Sequence, residues 1–545
     1  MLVALEQGAS AMQRRTMLKA AAAALLPAPA MLPALAMLPA PAIGQGNARV
    51  LRVVPEANLA SIDPVWTTAA VTINHGFAVY DTLYGSDLDL VPRPQMVEGH
   101  TLSDDKLLYT FKLREGLLFH DGEPVRSRDC IASITRWSKR SAWGGALGAR
   151  VEEMKVVDDR SFTMRMKKPF ALTLHAMGQG YSFIMPERVA QTDPFKQITE
   201  TVGSGPFVFK NDEWVSGARA VYVKNTRYVP RSEASNMWAG AKQVFVDRVE
   251  HTVMPDGATA AGALRSGEID WLHVPSIDLV PMLKKSRGVR AFVNDPFGWI
   301  GIIRPNSLHP PFDNHKLLRA ILSAVNQNDF LAAVIGDQHE LGKTPVGIFT
   351  LGAPMANTAG LEALSGPRDL ALARRLVAES GYKGEKVVLM SPSDIPPLSQ
   401  ITQVTRDLFI RLGLNVEFQS MDFSTMVSRR ASREPLDKGG WNAFCAAWGG
   451  LSVSDPGGHF PMRGNGRGAW FGWPEDPKME ALRDAWLDAP DLAAQKKLAE
   501  EIQVHAMQQV PMIPVGQWFV PTATRDNLSD IVRSVFMLLW NVKKG

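Results

Sequence analysis

Ser380-Gly381-Tyr382-Lys383 has the S-x-x-K spacing in which a lysine one helical turn on activates a serine hydroxyl. That chemistry needs an unbroken helix and a K-T-G strand. Gly381 interrupts the helix and no K-T-G occurs, so this serine reads as a helix end. Gly342-Lys343-Thr344 resembles the close of a phosphate loop, but the position that needs the first glycine is Asp337, and Gly336 misses it by one residue. A carboxylate there would repel the phosphate that backbone N–H groups should cradle. No G-x-S-x-G occurs, and none of the eleven histidines is spaced H-x-x-x-H beside an acid. No catalytic residue, no metal site and no cofactor are expected.

The remaining candidates suit holding a molecule rather than changing it. Of fourteen tryptophans, Trp441, Trp448, Trp470, Trp473 and Trp486 crowd into residues 441–486. An indole is a large rigid face with one N–H donor, useful in a core or against a ligand. Trp486 falls on a helical stripe and belongs to a core. Trp448 is followed by Gly449-Gly450, a backbone held open near something else. His459, in Asp455-Pro456-Gly457-Gly458-His459, either meets a ligand or is an ordinary loop histidine. Arg463 and Arg467 sit in a glycine-rich loop and either meet a carboxylate or stay in a mobile surface segment.

The elements that must position these groups alternate short β-branched runs with amphipathic helices, an α/β pattern. Val50–Val54, Leu107–Leu113, the pair Val151–Val157 and Ser161–Met166, Glu385–Met390 and Leu414–Phe418 read as strands. Asp476-Pro477 opens a helix with an N-cap and a first-turn proline, Pro490 ends it, and Asp491 caps the next. Leu317–Val334 reads as one helix. The chain has 545 residues, enough for three to four domain-sized units. Its net charge is +4, from 59 basic and 55 acidic residues, without the basic patch of a nucleic-acid binder. Two cysteines exclude a disulfide scaffold. Cys130 and Cys445 are expected in the core, with a bond between them left open.

Residues 1–42 differ from the rest. Arg14-Arg15 precedes an apolar Ala/Leu/Met/Pro run that ends in Ala40-Pro41-Ala42, which reads as an export signal of the twin-arginine type. Five prolines in that run argue against a spanning helix. Its removal takes away three bases and one acid and leaves a mature charge of +2.

Several ordered blocks then converge. Tyr109–Gly116 followed by Phe119-His120-Asp121-Gly122-Glu123-Pro124-Val125 closely resembles the extracellular solute-binding proteins of family 5, the peptide/nickel/opine-type receptors of ABC importers. Val202–Phe207, Ser266–Asp270, Pro311–Asn314, Ala378–Tyr382 and Val510–Pro514 follow in the same order. The resemblance implies an α/β, two-lobed periplasmic-binding-protein fold (type II, cluster C) with an extra subdomain inserted in lobe I. It implies lobe Ia at 49–83, 202–293 and 515–545, subdomain Ib at 84–201 and lobe II at 294–514, hinged near Asn294–Asn306 and Met512–Gln517.

The implied function is a periplasmic, monomeric receptor that captures a peptide-like or other mid-sized organic solute and hands it to ABC permease subunits. No nucleic acid and no stable membrane insertion are implied. A periplasmic hydrolase, or a receptor feeding a sensor or chemoreceptor, is the alternative. Peptide-binding relatives place an aspartate three residues after a tryptophan to meet the ligand's ammonium; here Leu451 follows Trp448 in that position. Asp455 either takes over that role or caps the Pro456-Gly457 turn. The ligand-binding residues implied by analogy are Trp66, Thr67, His273, Trp299, Trp448 and Gly449, with Asp455 and Arg463 beside them.

Overall fold

The computed structural model describes residues 49–545, and the expected export signal lies outside them. Seven strands form a first sheet in the order Phe207–Phe209, Arg219–Lys224, Arg248–Thr252, Val50–Val54, Trp271–Leu272, Thr522–Arg525 and Val289–Phe292. Val50–Val54 runs parallel to both of its neighbours. Six strands form a second sheet in the order Gly342–Lys343, Ile513–Trp518, Trp299–Pro305, Ala443–Gly449, Lys386–Pro392 and Asn415–Met421. A third sheet of four antiparallel strands, Val97–Leu102, Leu108–Leu113, Ser161–Met166 and Val151–Asp158, lies in sequence between Val50–Val54 and Phe207–Phe209 of the first sheet.

The strands follow their local patterns. Leu108–Leu113 alternates buried and more exposed positions and lays Tyr109, Phe111 and Leu113 into the core. Lys386–Pro392 is buried from its second residue onward, as befits a parallel strand covered by the helix Pro396–Arg411. Asp476 caps Pro477–Leu487 by accepting from the Met479 N–H, and Asp491 caps Leu492–Gln509 by accepting from that of Ala494. Cys130 and Cys445 are buried and both free.

The expected single helix over Leu317–Val334 is two, His315–Ala324 and Gln327–Ile335. Asn326 breaks it by accepting from the Asn328 N–H as a new N-cap, and the Gln327 amide is then free to donate to the carbonyls of Val346 and Pro514.

Two buried charges fix loops to this frame. Arg136, on the helix Ser127–Trp137, forms a two-pronged pair with Asp63 at 2.7 and 3.0 Å, and so holds the loop that carries Trp66. Arg304, on Trp299–Pro305, is wholly buried and has no carboxylate partner among the described residues. It donates to the carbonyls of Pro461 and Pro511 at 2.7 Å, Trp470 at 3.1 Å and Phe471, and its guanidinium lies 5.2 Å from the Trp470 ring centre. Burial pushes its pKa down to about 9. Arg304→Leu leaves these carbonyls without donors and is expected to lower the unfolding free energy by about 3 kcal/mol or more in urea melts. A loss below about 1 kcal/mol contradicts that role.

Candidate functional site

The chain passes between the first and second sheets twice, at 293–298 and at 519–521. Ile513–Trp518 pairs with Trp299–Pro305 to its last residue, so the return to the first sheet follows Trp518. That lies beyond both the expected boundary at 514/515 and the expected hinge at Met512–Gln517. The crossings bring two edges together. On one, Val50–Val54, Trp271–Leu272 and Val289–Phe292 end; on the other, Trp299 begins opposite Gly449 and Trp518, where their strands end. Ligands of α/β folds gather at such carboxyl ends.

The first crossing is held on both sides. Its second half belongs to the second sheet: the Gly450 N–H donates to the Gly298 carbonyl at 2.6 Å, and Gln517 Nε2 to that of Phe297 at 2.7 Å. A Cβ on Gly450 would stand 2.2 Å from the Phe297 oxygen, so only glycine permits this approach, whereas one on Gly449 would meet nothing within 4 Å. Its first half is tied to the C-terminal segment, with Asn294 Nδ2 donating to Val532 O at 3.2 Å.

The first-sheet edge is ionisable. Glu56 follows Val50–Val54, receives Asn74 Nδ2 at 2.9 Å and lies 2.6 Å from His273 Nδ1. Burial alone would raise its pKa, but His273 beside it holds the carboxyl below the usual range. Asp295, in the crossing, is pushed up to about 6 by burial, against the Phe297 N–H that donates to it at 2.8 Å.

The second-sheet edge is aromatic. Trp448 lies between Phe460, nearly parallel at 6.4 Å, and Trp470, edge-on at 5.1 Å. Its Nε1 is buried and has no acceptor among the described residues. Phe460 is 46% exposed and Trp299 is 41% exposed, so apolar surface faces outward at this edge. Arg304 fixes the loop carrying Phe460 and Trp470 through the Pro461, Trp470 and Phe471 carbonyls.

Further contacts cross the seam. Asp488 accepts from Arg150 at 3.0 Å and from Lys168 at 2.6 Å. Trp143 lies so close to Gly457 that a Cβ there would stand 2.4 Å from its ring. Elsewhere Lys284 pairs with Glu340 at 2.9 Å, and Gln338 Nε2 donates to Ile277 O at 3.1 Å.

Of the residues expected from sequence, Trp299, Trp448 and Gly449 meet at the second edge, and His273 lies at the first. The hydrogen bonds of Trp66 and Thr67 run to Asp63, Arg140 and Ala69 instead. Asp455 caps its turn, accepting from the Gly458 N–H at 3.0 Å. Arg463 is neither a free charge at a rim nor in an unanchored loop: it is committed to Glu480 at 2.8 to 3.1 Å. His459 is buried and bonded to Ile348 O at 2.8 Å, which makes it a core residue. Sequence reasoning missed Glu56, Asp295, Arg304 and Trp143. Trp143-Gly144-Gly145 carries the same aromatic-glycine-glycine signal that singled out Trp448. Among the described residues no three metal-ligating side chains converge, and no helix is long and apolar enough to cross a membrane.

Residues 91–470 match the family model of bacterial extracellular solute-binding proteins, family 5. A Sinorhizobium fredii protein named "Probable peptide ABC transporter periplasmic-binding protein" is 36% identical over 490 residues, covering 90% of this chain and 92% of that protein. Among solved structures, the ABC transporter substrate-binding protein CtaP of Listeria monocytogenes aligns with a TM-score of 0.77 at 18% identity, over 91% of this chain and 99% of that one. A Pseudoalteromonas dipeptide-binding protein in complex with Met-Leu aligns at 0.73 and 18% identity, over 91% of this chain and all of that one. At such identities these two likenesses are of fold.

A carboxyl that holds its proton more tightly in the folded chain stabilises the fold at low pH and loses that contribution as pH rises through its folded pKa. For Asp295 that window ends at about pH 6. Asp295→Asn removes the dependence. Between roughly pH 4 and pH 7 the variant's stability should therefore improve relative to the parent's by at most about 3 kcal/mol. A difference in melting temperature that stays constant over that range contradicts the assignment.

Proposed function

This chain belongs to family 5 of the bacterial extracellular solute-binding proteins, and we propose that it closes two hinged lobes over a peptide-like or other mid-sized organic solute. It is the solute-binding component of an ABC importer and not an enzyme. The relatives named above are described as importer binding proteins, which lends no support to a hydrolase or to a receptor for a sensor. In this reading residues 1–42 export it to the periplasm by the twin-arginine route, and it works there as a monomer that meets permease subunits. The lobes follow the sheets: lobe Ia holds the first sheet, the four-stranded sheet forms an inserted subdomain Ib, and lobe II runs from the first crossing to Trp518.

The observation that carries the reading is the seam itself. Two covalent crossings hinge the lobes, and next to them lies an indole whose N–H has no partner. Trp448 stacks on the solute and gives it that donor, while Glu56 and Asp295 on the facing edge accept from it. An unpaired buried donor costs free energy until a ligand answers it. Leu451, where peptide-binding relatives have a carboxylate, is 7% exposed and offers an ammonium no partner, so the charged contacts of this protein lie elsewhere.

Native mass spectrometry of the purified protein should reveal a co-purifying solute of unchanged covalent structure. Trp448→Ala should weaken the rebinding of that solute about tenfold or more by titration calorimetry. An unchanged affinity contradicts the role of Trp448.

A further inference from the structure

Trp143 reaches across the seam from the helix Ala142–Arg150 and is buried there. Its own side seats it firmly. Ser141 caps the helix by accepting from the Gly144 N–H at 3.3 Å. Gly180 lets the side chain lie close, since a Cβ there would stand 3.0 Å from that of Trp143. Trp137 Nε1 donates to the Gly180 carbonyl at 2.6 Å and fixes that glycine in turn. The Trp143 ring lies edge-on to His175 at 4.8 Å.

The facing side is equally fixed. The ring meets Trp486 at 6.3 Å and the turn Asp455–Gly458. Asp455 closes that turn by accepting from the Gly458 N–H, and Arg483 Nε donates to the Pro456 carbonyl at 3.0 Å. Gly457 is the residue that admits the indole: a Cβ on it would stand 2.6 Å from Trp143 Cζ2 and nearer still to Cη2. The backbone of Gly457 lies outside the left-handed region, so it is the ring and not the turn that demands glycine.

This turn belongs to a segment, 449–460, that joins three parts of the site. Near its start the Gly450 N–H holds the first crossing through the Gly298 carbonyl. At its end Phe460 lies nearly parallel to Trp448. Between them the turn receives Trp143. A seated indole therefore ties residues 142–150 to the segment that carries both a hinge contact and the aromatic edge.

We propose that Trp143 is the latch of the closed lobes, setting the affinity for the solute by holding the seam shut and not by touching the solute. It rests on the reading that two hinged lobes close over a solute. A solute that binds the closed form gains affinity in proportion to the population of that form. Truncating an indole in a desolvated seat shifts such an equilibrium by about tenfold or more.

The test uses the full chain with spin labels at Val157→Cys and Ile410→Cys, two exposed positions, one on the four-stranded sheet and one on the helix Pro396–Arg411. The native Cys130 and Cys445 are buried. Pulsed electron paramagnetic resonance reads short and long distances across the seam, in the protein as purified and after its solute is stripped. Trp143→Ala should lower the ratio of short to long by about tenfold or more. Gly457→Ala should lower it too, by a clash from the other side, and it leaves the helix of Trp143 intact. In Trp143→Phe/Gly457→Ala the shorter ring vacates the space the new methyl needs, and most of the short population should return. A ratio that neither single change moves, or a pair that restores nothing, overturns the latch. Rescue across the seam is a result that a merely structural Trp143 does not give. The outcomes separate from the reading beneath. One unchanging distance in the parent and in every variant defeats the hinged lobes and the latch with them, whereas two populations indifferent to Trp143 and Gly457 defeat the latch alone.

Discussion

The structure depends on one constraint: its two main sheets are joined covalently only at 293–298 and 519–521. Every other contact between the bodies is noncovalent. The pairs of Asp488 with Arg150 and Lys168, and of Lys284 with Glu340, lie at or near the surface. Such pairs are worth about 1 kcal/mol or less each and weaken in salt. In the proposed reading, a seam closed by weak contacts and hinged by covalent ones opens and shuts without disturbing either core.

The two edges that the hinge opposes differ in chemistry for reasons internal to each. The first-sheet edge collects Glu56, His273 and Asp295, because strand ends leave backbone and side chains free of a ladder partner. The second-sheet edge collects indole and phenyl rings, because Arg304 gathers the loop of Pro461, Trp470 and Phe471 by their carbonyls. A buried cation answered by carbonyls rather than by a carboxylate holds three segments at once. Its orientation is therefore set by the whole loop, and Trp448 inherits that rigidity through Trp470.

Much of this architecture is local and was legible in the sequence. Val50–Val54 begins and ends where its β-branched run does, and Asp476 and Asp491 cap the helices their spacing predicts. The ordered family blocks carried the two-lobed fold. What was not legible depends on partners far apart in sequence. Glu56 and His273 are separated by 217 positions, and nothing in either neighbourhood announces the other. Arg463 reads as a free base until the fold supplies Glu480. The break at Asn326 lies inside a longer run of apolar residues at helical spacing, but Asn326-Gln327-Asn328-Asp329 interrupts that run with a favoured cap. The return crossing after Trp518 was misplaced because strand pairing, not the prolines of Pro511-Met512-Ile513-Pro514, decides where the second sheet ends.

The account stands or falls on closure about these two crossings. Small-angle X-ray scattering of the solute-stripped protein, compared with the same protein after its co-purified solute is restored, tests this directly. A smaller radius of gyration with solute bound, shifted back toward the open value by Asp488→Ala, is the predicted result. Superimposable curves with and without a bound solute would contradict it.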